Sequence, residues 1–121
     1  MEELAELFAA QAYDNRTLYR RDTQNMEGPE RITYIREMVL AATEELHEAL
    51  RETEWKPWDP KEGIVNGERM LTELVDALMF VVNLMLVARP DLNPTQLAYE
   101  VHHRFQTSRI LNSARHSRQD V

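Results

Sequence analysis

The sequence predicts an all-α fold, a bundle of four to five helices. Only three glycines occur in 121 residues, and no segment shows the alternation of polar and apolar residues that is typical of a half-buried strand. Apolar residues recur instead with the 3.6-residue period of a helix, as at Ile35, Val39, Ala42, Leu46 and Ala49. A chain of this length is expected to form a single domain over residues 1–121.

The first half of the chain is expected to hold two helices. One is predicted over roughly residues 2–21, and Gly28-Pro29 then interrupts the chain. A second, longer helix is predicted over about residues 30–54. Two prolines and a glycine within residues 55–63 indicate a loop after it.

A third helix is predicted from Asn66-Gly67 to about Arg89-Pro90. Its residues 77–88 are apolar except for Asn83, and this run is too short to span a bilayer, which needs about 20 residues. We therefore interpret the segment as a buried core helix, and no membrane partner is expected.

A fourth helix is predicted to begin with Asn93 as its N-cap and Pro94 at its first position. Its predicted end lies near Ser113, and a polar tail that frays is expected from about residue 114. No internal repeat and no low-complexity segment is present.

The charge and the absence of cysteine exclude several classes of function. A net charge of −7 argues against binding to a nucleic-acid polymer, because such proteins usually present a basic surface. With no cysteine, disulfides and thiolate zinc sites are excluded. The acidic N-terminus lacks a signal-peptide pattern, and the expected location is the cytoplasm.

Two acidic doublets are the strongest functional signal. Glu45 and Glu48 lie in the second predicted helix, and Glu73 and Asp76 lie in the third. The i,i+3 spacing places both carboxylates of each doublet on one face of its helix. If the two helices pack antiparallel, four carboxylates meet and form an all-oxygen site for a hard cation such as Mg²⁺.

The pattern of the third helix favours a site over a solvated surface. One stripe holds Glu73, Asp76, Phe80, Asn83 and Val87, and a nearly opposite stripe holds Leu71, Leu74, Leu78, Val82 and Met85. A helix that is apolar on both sides is expected to be buried. Carboxylates at the end of a buried face require a partner, and a metal ion is a natural one.

These residues carry a family resemblance. The order Glu-x-x-Glu, a spacer and Glu-x-x-Asp resembles the all-α nucleoside triphosphate pyrophosphatases, the superfamily of MazG-like proteins and dimeric dUTPases. The loop Trp55-Lys56-Pro57-Trp58 is similar to a Trp/Lys-rich loop of dimeric dUTPases and phage MazG-like enzymes. The segment 73–83 is similar to the metal-binding helix of that superfamily. The resemblance covers roughly residues 30–116.

The C-terminal part of the resemblance concerns phosphate contacts. Residues 108–115, with Arg109, Asn112 and Arg115, are similar to a basic signature that contacts nucleotide phosphates. The chain departs from that signature in two ways. A lysine is expected near Ser108 or Arg109, and His116 stands where a glutamine often follows.

The resemblance implies hydrolysis of a deoxynucleoside triphosphate to the monophosphate and pyrophosphate. It implies Mg²⁺ or Mn²⁺ held by Glu45, Glu48, Glu73 and Asp76, with Glu45 or Glu48 activating the attacking water. Whether water attacks the α or the β phosphorus stays open. Purine deoxynucleotides (dGTP and dATP) are slightly favoured as substrates, as in the compact phage MazG-like enzymes, and dUTP is the alternative.

The other binding roles also follow from the resemblance. Lys56, Arg109 and Arg115 are expected to contact phosphates, while Trp55 or Trp58 stacks on a base or sugar. Asn83 is expected to bond the deoxyribose or a metal ligand. A homodimer or homotetramer is expected, and the role is nucleotide-pool sanitation or the supply of a monophosphate for phage DNA synthesis.

Two alternatives come from other classes of protein. A ferritin-like di-iron site uses Glu-x-x-His pairs, and the chain has Glu44-x-x-His47, Glu100-x-x-His103 and Glu73. Both pairs are expected to lie away from the apolar stripes of their helices, which counts against this alternative. The second alternative is a non-catalytic helical interaction module in which the acidic residues are solvated surface residues that bind no metal.

Overall fold

The protein is described by a computed structural model over residues 2–59 and 62–119. Within these residues the elements are α1 (Glu2–Thr17), α2 (Gly28–Leu50), α3 (Gly67–Ala88) and α4 (Pro94–Gln119). The described part of the chain contains no strand, and its β pairing is limited to an isolated antiparallel bridge between Thr53 and Val65. The prediction of an all-α bundle is confirmed.

Helix α1 ends before the predicted boundary near residue 21 because the chain turns there. Arg20, three residues after the last residue of α1, has a φ of 54°, and this left-handed conformation turns the chain away from the helix. The N–H of Arg21 then donates to the carbonyl of Asn15 at 2.7 Å, which closes the end of the helix. The irregular segment that follows leads to α2, in which Pro29 occupies the first turn and Gly28 takes a φ of 55°.

Helix α2 also ends earlier than predicted, at Leu50. The loop after it is tied together by the carboxylate of Glu54, whose Oε2 accepts the backbone N–H groups of Glu62, Gly63 and Ile64 at 2.8, 2.9 and 3.2 Å. Glu54 must leave the helix to reach these groups. The loop thereby returns the chain to the start of α3.

The caps of α3 and α4 follow the sequence. Asn66 accepts a hydrogen bond from the N–H of Arg69 at the start of α3. Asn93 Oδ1 accepts from the N–H of Gln96 at 2.8 Å, and Gln96 Oε1 accepts from the N–H of Asn93 at 3.0 Å, a reciprocal capping box. Helix α4 continues past the predicted end near Ser113 as far as Gln119.

The helices pack in two pairs, and α3 joins the pairs through its contacts with α1 and α4. Helices α2 and α3 lie antiparallel along their length, and α1 packs on α4. The main core lies where α1, α3 and α4 meet, and its buried residues are Phe8, Ala12, Val82, Leu86, Leu97 and Ala98. Arg31 also links α2 to the end of α3, because its guanidinium donates to the carbonyls of Val87 and Ala88.

The expectation that α3 is buried on both of its apolar sides does not hold for its N-terminal half in the single chain. Its C-terminal half is buried in the core, but Leu71, Leu74, Val75 and Leu78 are exposed, and Leu71 retains 60% of its accessible surface. Helix α4 packs mainly on α1 and leaves this half of α3 without a cover. By length and composition α3 would also suit a membrane span. However, it lies beside α1 and α2 and carries three carboxylates, Glu68, Glu73 and Asp76, which a bilayer would disfavour.

Candidate metal and nucleotide site

Three of the four predicted carboxylates meet between α2 and α3. Glu45, Glu73 and Asp76 each offer an oxygen, and these oxygens lie within 4.8 Å of one another. The antiparallel packing of the helices brings the two doublets together, as the spacing predicts. Glu48 lies one turn beyond Glu45, and its carboxyl is within hydrogen-bonding reach of Glu73. We call these four residues the acidic cluster.

The acidic cluster raises the pKa values of its own members. The pKa of Glu73 lies above its ordinary value first because its carboxyl shares a hydrogen bond with Glu45, and then because of partial burial and neighbouring negative charge. The pKa of Glu48 is raised first by a hydrogen bond with Glu73 and then by desolvation. A hydrogen bond with Glu73 favours the charged form of Glu45, but desolvation and repulsion by Glu48 and Asp76 outweigh it. The pKa of Glu45 is therefore raised as well.

The residues of the acidic cluster fit a hard divalent cation. The groups that shift these three pKa values are all acidic, so no lysine or arginine among the described residues neutralises the cluster. The Oε2 atom of Glu45 is enclosed and accepts no hydrogen bond from an N–H or hydroxyl group in the described part of the chain. Clustered carboxylate oxygens are the ligands that Mg²⁺ and Mn²⁺ prefer.

A cavity of about 600 Å³ extends from the acidic cluster between α1, α2 and α3. Its volume lies within the range of small-molecule sites in proteins. The walls combine polar, acidic and aromatic side chains: Gln11, Asp14, Asn15, Tyr19, Arg21, Tyr34, Glu37, Met38, Glu45, Asp76, Met79, Phe80 and Asn83. The cavity therefore offers an acidic end next to a mixed polar and aromatic compartment.

The cavity is long along the axis of α2. Glu45 and Tyr34 both line it and are eleven residues apart on α2, which corresponds to about 17 Å of helix. On α3, Asp76 lies at the acidic end, and Phe80 and Asn83 follow one and two turns further on. A ligand whose charged group lies at the acidic cluster therefore has room for its remainder beside Phe80 and Asn83.

Asn83 is held at the wall by a hydrogen bond that the sequence did not suggest. Asn15 Nδ2 donates to Asn83 Oδ1 at 2.9 Å, and both side chains are buried. The prediction that Asn83 lies near the site is consistent with its place at the cavity, while its contact with a sugar or metal ligand stays a prediction.

Sequence reasoning missed the whole contribution of α1 and of the segment after it. Gln11, Asp14 and Asn15 line the cavity, as do Tyr19 and Arg21. A signal for Asn15 was present, because it follows Phe8 and Ala12 at helical spacing on the buried face of α1. A polar residue at such a position requires a hydrogen-bonding partner.

The tryptophan loop lies on the surface, outside the cavity of the single chain. Trp55 and Trp58 contact each other edge to face, with ring centroids 5.8 Å apart and an interplanar angle of 78°. Both rings are exposed, as is Lys56 between them. None of the three lines the cavity, and their contacts with a substrate stay predictions.

The predicted phosphate-binding residues of α4 are also outside the cavity. Arg109, Asn112 and Arg115 are exposed on the second half of α4, beyond its contacts with the core. Arg109 donates to Gln106 Oε1 within its own helix at 3.3 Å. Their role at a phosphate stays a prediction.

The geometry does not support the di-iron alternative. Glu44 pairs with Arg51 at 3.8 Å, and Glu100 pairs with Arg104 at 2.7 Å, so both carboxylates are directed to surface cations. Helices α2 and α4, which carry the two Glu-x-x-His pairs, do not pack on each other over the described residues. A shared iron site cannot be built from these pairs.

The all-helical bundle, with an acidic cluster beside a ligand-sized cavity, agrees with the comparison with known protein families. A family model described as dUTPase matches residues 3–118, and the chain therefore belongs to that family. The match supports the superfamily to which the sequence resemblance points. No significant match was found among curated proteins or among solved structures.

Proposed function

We propose that this protein is a metal-dependent nucleoside triphosphate pyrophosphohydrolase that converts a deoxynucleoside triphosphate to the monophosphate and pyrophosphate. The observation that carries the proposal is the convergence of Glu45, Glu73 and Asp76 at one end of the cavity. The family match supports the same class of reaction. Together they provide a place for the phosphates and an adjoining place for the nucleoside.

Glu45, Glu73 and Asp76 are the proposed ligands of Mg²⁺ or Mn²⁺, with Glu48 at the edge of the set. An ion held by these residues would supply positive charge against the triphosphate and would polarise a phosphoryl oxygen. The raised pKa values of the cluster support this assignment, because they report carboxylates that lack a neighbouring cation.

Glu48 is the proposed water activator, with Glu45 as the second candidate. Glu48 belongs to the acidic cluster but lies outside the group of three converging oxygens, so it can accept a proton. As the water oxygen bonds to the α or β phosphorus, the bridging P–O bond between these phosphates breaks. The proton of the water passes to the carboxylate, and monophosphate and pyrophosphate are the products.

The nucleoside is proposed to lie in the compartment beside Phe80 and Asn83. Phe80 offers a ring for packing against the base or sugar, and the Asn15–Asn83 pair offers amide groups. Purine deoxynucleotides, dGTP and dATP, are the favoured substrates because of the likeness to compact phage MazG-like enzymes. The family description supports dUTP as the second candidate.

A homodimer or homotetramer is proposed as the working form, in the cytoplasm. The uncovered half of α3 continues the apolar face that forms the core, which supports burial against a second copy. The second half of α4 extends beyond that core and exposes Phe105, Ile110 and Leu111. In such an assembly Arg109, Asn112 and Arg115, together with the tryptophan loop, would reach a neighbouring copy's phosphates.

The test is pyrophosphate release from a panel of dNTPs and NTPs with Mg²⁺ or Mn²⁺. Glu73→Gln is the site variant, and Glu68→Gln, an exposed acid in the first turn of the same helix, is the matched control. Turnover that requires metal, vanishes in Glu73→Gln and persists in Glu68→Gln supports the proposal. No turnover of any nucleotide by the unaltered protein would overturn it in favour of an interaction module.

A further inference from the structure

We propose that Arg21 is the residue that selects the nucleobase, by donating hydrogen bonds to a carbonyl-bearing edge of the base. The inference rests on the proposed function, because it takes the ligand to be a nucleotide. It deepens that function by dividing the proposed substrates: bases with a keto group, guanine or uracil, are predicted over adenine, so that dGTP and not dATP is the expected purine substrate.

Among the described residues that line the cavity, Arg21 is the only lysine or arginine. Its Nη2 donates to Glu37 Oε2 at 3.0 Å, and its guanidinium carbon lies 5.2 Å from the centroid of the Tyr34 ring. The ion pair with Glu37 and the cation–π contact with Tyr34 hold the Arg21 side chain in place, although its backbone belongs to the irregular segment after α1. Arg21 is thus a positioned cation at the wall of the cavity.

The guanidinium retains unused donors. Its Nε is enclosed and has no acceptor within the described residues, and the neighbouring Tyr34 hydroxyl is also without a partner there. No hydrogen bond of Nη1 to a described residue is present either. The enclosed Nε cannot reach a ligand, so the donor open to one is Nη1. Because a guanidinium can only donate, a ligand group that contacts Nη1 must accept a hydrogen bond.

The position of Arg21 separates it from the phosphates. Its partners Glu37 and Tyr34 precede Glu45 on α2 by eight and eleven residues, about 12 and 17 Å along the helix. With the phosphates at the acidic cluster, the part of the nucleotide that reaches Arg21 is the base. The guanidinium therefore contacts the part of the substrate that differs between nucleotides.

The chemistry of the base edges gives the direction of the selectivity. Guanine presents acceptors at O6 and N7, which match the donors of an arginine, whereas adenine presents an amino group in place of O6. Uracil likewise presents carbonyl oxygens. An amino group directed at a guanidinium would place two donors against each other and leave both without an acceptor.

The experiment compares kcat/KM for dGTP, dUTP and dATP in the unaltered protein, in Arg21→Ala and in Arg21→Lys. We expect Arg21→Ala to lower kcat/KM for dGTP and dUTP by about 10-fold to 100-fold and that for dATP much less. Arg21→Lys keeps the positive charge but lacks the paired N–H donors of the planar guanidinium, so it should show only part of the base preference of the unaltered protein. Arg16→Ala is the matched control, since Arg16 is exposed on α1 and does not line this cavity.

Tyr34 is a positioning residue in this proposal. Tyr34→Phe keeps the ring under the guanidinium and should keep the preference, whereas Tyr34→Leu removes the ring and should weaken it. Thermal unfolding of each variant shows whether the fold is retained. If Tyr34→Phe and Tyr34→Leu lose the base preference equally, the aromatic ring of Tyr34 does not position Arg21.

Binding separates the failure of this inference from the failure of the proposed function. Calorimetric titration of the metal-free protein with dGMP and dAMP measures base preference without turnover. A preference for dGMP that disappears in Arg21→Ala supports the inference even if no triphosphate is hydrolysed. If Arg21→Ala weakens binding equally for every base, Arg21 contacts the phosphate or the sugar, and the inference is overturned. It is also overturned if Arg21→Ala leaves the base preference unchanged, or if the unaltered protein prefers adenine.

Discussion

Asn15 donates a hydrogen bond from its side-chain Nδ2 to the Oδ1 of Asn83 across 2.9 Å, and this bond joins α1 to α3 at the wall of the cavity. The two residues are 68 positions apart in the chain and are both buried. Asn83 also lies against Met38 of α2, with its Nδ2 at 3.5 Å from the sulfur atom. The two contacts of Asn83 therefore join three helices around the compartment that we assign to the nucleoside.

Loss of either asparagine is predicted to destabilise the fold. Asn83→Ala leaves the amide of Asn15 buried without its acceptor, and we expect the free energy of unfolding to fall by about 1–3 kcal/mol. Urea denaturation followed by circular dichroism measures it. The exposed substitution Asn112→Ala should change stability by less than about 0.5 kcal/mol. If the two asparagines act as a pair, the losses in the double variant will be less than additive.

Divalent metal is predicted to stabilise the folded protein. Binding to the acidic cluster relieves repulsion among Glu45, Glu73 and Asp76, so Mg²⁺ or Mn²⁺ at roughly 100-fold excess over its Kd should raise Tm by about 10 °C. Scanning calorimetry with and without EDTA provides the measurement. Glu73→Gln should abolish most of the rise and Glu68→Gln should retain it. An equal rise in both variants would place the metal elsewhere.

The metal-free protein is predicted to lose stability from the acidic cluster as pH rises. The pKa values of Glu45, Glu48 and Glu73 in the folded protein lie above the ordinary value of 4.5. At a pH between 4.5 and these higher pKa values, the folded state therefore binds more protons than the unfolded state. The contribution of the cluster is therefore fully present at and below about pH 4.5 and declines as pH rises through the folded-state pKa values.

The difference between the unaltered protein and Glu73→Gln isolates this contribution. Taking this difference cancels the opposite pH dependence of stability that Asp91 and Glu100 contribute to both proteins. The pKa values of these two carboxyls are lowered by hydrogen bonds from Arg89 and Arg104. Without metal, Glu73→Gln should have the higher Tm at pH 7.5, and the gap should narrow as pH is lowered toward about 4.5. A gap that widens on acidification would contradict the assignment.

Glu48 is predicted to affect turnover more than metal binding. If it accepts the proton of the attacking water, Glu48→Gln should lower kcat by about 100-fold to 10,000-fold. The rise in Tm with Mg²⁺ should largely remain, because Glu48 lies outside the three converging oxygens. Glu30→Gln, at the exposed start of the same helix, should leave kcat unchanged. Should metal binding disappear together with turnover, Glu48 would instead be a ligand.

The uncovered half of α3 is predicted to be a subunit interface. Leu78 is 47% exposed in the single chain and lies beside Leu71 and Leu74 on the apolar face of α3. Leu78→Glu places a charge in that interface, so sedimentation velocity should show a shift from oligomer to monomer. Leu18, which is 70% exposed just after α1, provides the control Leu18→Glu. A monomeric unaltered protein would refute the prediction.

The helical fold could be predicted from the sequence because its determinants are local. Asn66 and Asn93 cap α3 and α4 through side chains that bond the backbone three residues on, and such contacts depend on short stretches of sequence. The ends of α1 and α2 were predicted too late. The left-handed turn at Arg20 and the long-range hydrogen bonds of Glu54 end these helices, and neither is visible in helical periodicity.

The acidic cluster was predictable for a similar reason. Each doublet is fixed by the spacing within its own helix, and only the antiparallel packing of α2 and α3 was needed to bring Glu45 to Glu73 and Asp76. The rest of the cavity joins residues from α1, the segment after it and α2. Nothing in the local sequence of Arg21 indicates that it lies over Tyr34.

The sequence by itself determined the helices, their caps and the two pairs of carboxylates, because each depends on interactions within a few residues. Only the tertiary structure decided that α1 closes the cavity, that Asn15 meets Asn83 and that half of α3 has no cover. Each of these features depends on which helix packs against which apolar face. The sequence of one amphipathic helix marks its apolar face, but that face is buried only where another helix packs on it, and this is decided by the packing of the whole chain.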